Sequence, residues 1–176
     1  LSYKRKVQTK GIAEMKTLTI HINEALKIGK NLGKFSTYSC RPKTKDELSD
    51  IIKERIKNEG DNCDLNEIDT SLITDMTGLF YDSDFIVDIS RWDVSNVVDM
   101  KNMFAYSDFN GDISKWNVSS VDDMCDMFNN SKFNQDISNW DVSNVKHMSY
   151  MFYKSDFTGD ISKWNTANVT NMKNMF

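Results

Sequence analysis

At 176 residues with 39% hydrophobic content, the chain can form one substantial domain beside a small accessory region, which excludes a wholly disordered protein. The net charge of −4 conceals an asymmetry, because residues 1–60 carry 14 Lys/Arg against 7 Asp/Glu and residues 61–176 carry 8 against 19. The basic residues are scattered rather than clustered with aromatics, so nucleic acid is not an expected partner, and no run approaches the roughly 18 apolar residues of a membrane span.

Residues 1–43 read as an N-terminal arm. Leu18, Ile20 and Ile22 alternate like a short strand, whereas Ile22, Ala25, Leu26 and Gly29 follow helical spacing, and a short helix from about Asn23 to Asn31, ending at Gly33, is the favoured reading. No signal-peptide-like apolar run occurs in it. Residues 44–63 read as a capping helix and turn. Thr44 and Glu47 have capping-box spacing, Leu48, Ile51, Ile52 and Ile56 form an apolar stripe, and Gly60 provides the exit. Cys40 and Cys63 could staple the N-terminal region to the repeats or remain thiols; Cys125 is unpaired in either case.

Residues 64–176 read as about five 24-residue repeats, the last incomplete. Trp92, Trp116, Trp140 and Trp164 keep a strict 24-residue period, as do Phe104, Phe128, Phe152 and Phe176, and Ile68 stands at the Trp phase of a degenerate first copy. Counted from each Trp, the apolar columns lie at −3, 0, +2, +5, +8, +11, +12 and +17. A single copy cannot enclose a core, but stacked copies place like on like in continuous ladders, so the Trp, Met and Phe columns are expected to be core. Val97, Met100, Met103 and Phe104 have the three-and-four spacing of a helical stripe, which predicts one short helix per repeat over about 97–106, capped by Ser95 or Asn96, beside one short extended segment such as Asp112–Trp116. The fold class expected is an α/β repeat solenoid, leucine-rich-repeat-like, capped N-terminally by the amphipathic helix. Phe176 falls at column +12, so the last copy is expected to be left open, either continued by further chain or covered by another subunit.

Two vertical polar columns, Asp88, Asp112, Asp136 and Asp160, and Asp93, Asn117, Asp141 and Asn165, could supply stacked oxygen ligands for calcium. Asp and Asn also organise turns by accepting nearby backbone amides, which accounts for both columns without a metal, so no metal or cofactor is expected. No catalytic residues are expected either: His147 stands in the column of Asp99, Asp123 and Asn171, the repeated serines suit turns, and no glycine-rich phosphate loop is present. Specificity in such arrays resides in the variable columns. Here these are Arg91, Lys115, Asn139 and Lys163 before each Trp, and Tyr81, Ala105, Asn129 and Tyr153 after each terminal Phe or its equivalent, with Tyr106 and Tyr150 as further aromatic anchors. A tyrosine-containing, acidic face is therefore the expected surface for a protein partner.

The repeat Asp-Ile-Ser-x-Trp-Asp-Val-Ser-Asn-Val-x-x-Met-x-x-Met-Phe, with Phe-Asn following at 109–110 and 133–134, resembles the BspA-like surface-protein repeat also found in mycoplasma lipoproteins. The resemblance covers roughly residues 44–176. It implies a leucine-rich-repeat-like fold and a cell-surface or secreted, adhesion-type interaction role; a structural spacer or assembly element is the alternative function.

Overall fold

The computed structural model describes residues 38–176, of which 41–176 form one compact unit. The short helix expected near 23–31, and most of the expected arm, lie outside the described residues.

Helix α1, Lys45–Glu59, is the only helix among the described residues. Thr44 caps it, its hydroxyl oxygen accepting the Glu47 N–H at 3.2 Å, and the Glu47 carboxylate accepts the Lys43 N–H at 2.7 Å, satisfying amides that would otherwise lack partners. Gly60, at φ 90°, ends the helix in a conformation that side chains disfavour, and its N–H reaches the Ile56 carbonyl at 2.8 Å. Leu48, Ile52 and Ile56 are buried. Arg55 reaches Glu67 and Lys45 reaches Asp75, so α1 lies over the first repeat unit. Cys63 and Cys125 are buried thiols, and no Cys40–Cys63 bridge forms.

Successive 24-residue units lie side by side and are joined through their backbones. The N–H groups of Met100, Asn102, Phe104 and Tyr106 donate to the carbonyls of Asp123, Cys125, Met127 and Asn129, at 2.8–2.9 Å. The same four-bond pattern runs from Met76, Gly78, Phe80 and Asp82 to the carbonyls of Asp99, Lys101, Met103 and Ala105, and from Met124, Asp126, Phe128 and Asn130 to those of His147, Ser149, Met151 and Tyr153. Parallel bridges run Asp75–Asp99–Asp123–His147–Asn171. These bridges are isolated, and no extended strand forms among the described residues.

The helix expected at 97–106 is not formed, nor are its counterparts in the other units. Residues 100–107 are instead a chain of linked turns, with N–H to C=O bonds from Met103 to Met100, Ala105 to Asn102 and Ser107 to Phe104. Asn102 and Tyr106 have φ of 56° and 59°, whereas an α-helix needs negative φ throughout. Gly78, Asp126, Tyr150 and Asn174 repeat the first left-handed position, and Asp82, Asn130 and Lys154 the second. Every other amide is thereby aimed at the next unit rather than back along its own chain. The expected caps do other work: Asn96 donates its amide to the Ser71 carbonyl at 2.9 Å, one unit back. The segment expected to be extended, Asp112–Trp116, closes a turn through the Trp116 N–H and Ile113 carbonyl.

The inward columns form the core. Phe80, Phe104, Phe128, Phe152 and Phe176 stack with centroid spacings of 5.5–5.7 Å, and Phe109, Phe133 and Phe157 stack beside them at 6.3 Å. The two stacks interlock, Phe128 lying 4.1 Å from Phe133. Each Trp spends its one polar atom on the unit before it: Nε1 of Trp92, Trp116, Trp140 and Trp164 donates to the carbonyls of Leu65, Ile89, Ile113 and Ile137. In the last unit Met172 and Phe176 are exposed.

Substitutions at Asn102 and Phe128 probe the turns and the core separately. Asn102→Gly is expected to be nearly neutral and Asn102→Val to cost about 1–2 kcal/mol in urea denaturation, because a β-branched side chain resists a left-handed turn; in a helix glycine would be the worse residue. Phe128→Ala, removing a ring packed against Phe104, Phe133 and Phe152, is expected to cost about 3–5 kcal/mol by the same measurement.

Candidate functional site

The carboxylate columns are built into the turns. Asp88, Asp112, Asp136 and Asp160 each accept, through Oδ1, the N–H of the serine two residues on, at 2.9–3.0 Å. Asp93, Asn117, Asp141 and Asn165 do the same for Ser95, Ser119, Ser143 and Ala167. A third column does likewise at Asp75, Asp99, Asp123 and Asn171. His147 occupies that column without making the turn bond, and its backbone continues the bridge ladder between Asp123 and Asn171. Among the described residues no group of three or more His, Cys, Asp or Glu is placed to hold a metal ion.

The electrostatics derive from this geometry. The Ser90, Ser138 and Ser162 backbone amides hold the carboxyls of Asp88, Asp136 and Asp160 below the ordinary range. Hydrogen bonding by Ser114 and Ser143, side chain first and then backbone, does so for Asp112 and Asp141. Burial pushes the Cys63 and Cys125 thiols up, which keeps them protonated and poorly nucleophilic.

The residues of the expected partner surface fall into distinct clusters. Tyr81 and Tyr106 meet edge to face at 5.7 Å and are 53% and 48% exposed. Tyr150 and Tyr153 meet at 5.6 Å, with the Lys154 ammonium 5.2 Å from the Tyr153 ring centre, and both tyrosines are half-buried. Between these pairs in the same columns, Ala105 is fully buried and Asn129 is half-buried, its amide donating to Asp126 at 2.7 Å. Arg91, Lys115, Asn139 and Lys163 are exposed, and the three cations sit beside the aspartate column, where they favour its ionised state. Among the described residues, no ion pair, hydrogen bond or ring contact joins this charged column to the tyrosines. Sequence reasoning missed the inward serines: Ser83, Ser107 and Ser131 are buried, and the Ser83 and Ser107 hydroxyls donate to the Phe80 and Phe104 carbonyls.

The sequence period and the unit-to-unit backbone ladder define a tandem-repeat protein. The chain belongs to the family described as Mycoplasma protein of unknown function, DUF285, whose family model matches twice, over residues 47–155 and 88–176. Neither a curated protein nor a solved structure matches it. Among the described residues no helix is long and apolar enough to cross a membrane.

Asp88, Asp112, Asp136, Asp141 and Asp160 contribute to the acid response. Their folded pKa values lie below the ordinary value of about 3.9, so in that window the unfolded chain binds more protons and stability rises with pH. Their contribution is expected to be fully present above about pH 5 and to be lost as pH falls through the folded values, which thermal melts across pH 7 to 2 check. Calcium or EDTA is expected to leave the melting temperature unchanged, because the same oxygens already serve the backbone.

Proposed function

We propose that this chain is a non-enzymatic protein-interaction module of the surface or adhesion type, built as a leucine-rich-repeat-like solenoid whose units are made of turns. The observation that carries this reading is the pair of tyrosine clusters, Tyr81–Tyr106 and Tyr150–Tyr153, on a scaffold whose polar columns are occupied with backbone hydrogen bonds. Tyrosine offers a large contact area with few rotatable bonds, and clusters of it that are exposed or half-buried, as these are, suit binding anchors. The Asp, Asn and Ser columns repeat the same local role in unit after unit, which suits architecture better than a unique catalytic constellation. The resemblance to BspA-like surface repeats favours the same reading.

Photo-crosslinking through p-benzoylphenylalanine placed at Tyr106 and at Tyr153 in the native cell tests it. The expected result is a discrete crosslink to a different protein. Replacing Tyr81, Tyr106, Tyr150 and Tyr153 together by alanine should then weaken co-purification of that protein at least about tenfold, equivalent to about 1.4 kcal/mol, with folding retained. Crosslinks only to further copies of the chain would support a structural spacer or assembly element instead.

A further inference from the structure

The first repeat unit departs from its successors in a way that opens a surface. Leu79 stands in the column of Met103, Met127 and Met151, and Phe85 in that of Phe109 and Phe133, yet both are half-buried where those successors are fully buried. With Ile52 of α1 they form the apolar floor of a groove of about 470 Å³, whose wall includes Tyr81. Gly78 also lines it, at a left-handed position where the next three units carry Asn102, Asp126 and Tyr150. The groove is therefore open where the other units place a side chain.

Its rim is acidic in a selective sense. Within residues 61–176, eleven aspartates make turn bonds to the backbone two residues on, and Glu67, Asp108, Asp122 and Asp126 pair with other side chains. Four carboxylates in that stretch have no such role in the fold: Asp61, Asp82, Asp84 and Asp156. Three of those four line this groove. The one cation among the lining residues, Lys53, lies 4.0 Å from Asp50, outside the lining. Gathering like charges at one place costs stability unless a partner neutralises them.

We propose that this groove, resting on the reading of the chain as an interaction module, docks a segment of a partner protein that carries Lys or Arg beside Leu or Phe. The apolar side chain covers Leu79 and Phe85, and the cation meets Asp61, Asp82 and Asp84. Charge complementarity sets the sign of the partner, and the half-buried floor sets its apolar content.

The test pans a random dodecapeptide display library on the full 176-residue chain and then measures binding of a synthetic copy of the most enriched peptide. Expected are peptides combining Lys/Arg with Leu/Phe, binding that weakens as salt is raised, and at least a tenfold loss of affinity in the Asp61→Asn/Asp82→Asn/Asp84→Asn variant. That variant should melt at the same or a higher temperature than the native chain, and a lower melting temperature would assign the carboxylates to the fold and overturn the proposal. Neutral or acidic enriched peptides, equal binding to the triple variant, or no enrichment would overturn it as well. Peptides that ignore the triple variant but are lost with Tyr150→Ala/Tyr153→Ala would remove the groove while leaving the interaction reading intact. The cellular crosslinking result bears on that broader reading separately.

Discussion

The structure of residues 64–176 depends on where every second amide of the linked turns is sent. Met100, Asn102, Phe104 and Tyr106 direct their N–H groups outward to the next unit, while the residues between them close turns within their own unit. Each unit therefore has these outward donors satisfied by protein carbonyls only when a neighbour is present. A buried amide without a partner costs more than a typical hydrogen bond contributes, so this arrangement couples the units more strongly than apolar stacking alone would. The left-handed residues are the geometric condition for it. Without φ near 55° at Asn102 and Tyr106, the amides would turn back along the chain into a helix and the ladder would be lost.

That condition assigns roles to most of the polar residues. A chain that changes direction every few residues leaves amides that neither a helix nor a sheet can satisfy, and side-chain oxygens two residues back accept them. Aspartate suits this work because ionisation strengthens it as an acceptor, and the amides in turn hold Asp88, Asp136 and Asp160 ionised. Asn96, Asn144 and Asn168 extend the logic across units by donating to carbonyls of the unit before. A surface that resembles a cation-binding ladder in one dimension is thus a turn scaffold in three.

Much of the core is legible in the sequence because the period is strict: a residue type that recurs at one phase in four copies has one structural role, and the Trp and Phe columns show it. The repeat helix is a false expectation because Met-x-x-Met-Phe satisfies two geometries. Inward residues three and four apart lie on one face of a helix, and they also lie on one side of linked three-residue turns. The distinguishing signal is in the residues between them. Gly78 and Asp82, Asn102, and Asp126 and Asn130 put residue types that tolerate left-handed backbone four apart, a pattern a helix has no use for. Tyr106, Tyr150 and Lys154 obscure that signal by occupying the same positions with side chains that ordinarily avoid them. Tyr81 is exposed, while Ala105, in the same column one unit later, is fully buried; a column position alone does not determine how much surface a side chain presents.

The first unit illustrates how a repeat array can acquire individuality. Interior units are constrained on both sides, so a change at Met127 or Phe133 disturbs two neighbours at once. The first unit meets α1 instead, and α1 is a different kind of surface, an amphipathic helix with Leu48, Ile52 and Ile56 buried and ionic side chains along its edges. Because α1 need not reproduce the ladder, Leu79 can replace methionine, Gly78 can omit a side chain, and Asp61, Asp82 and Asp84 can gather without their carboxylates accepting a turn amide. Departures from the period are informative for that reason: in a chain whose repeated residues are accounted for by stacking, the positions that break the repeat and still face solvent are those where a requirement other than stacking has the most freedom to act.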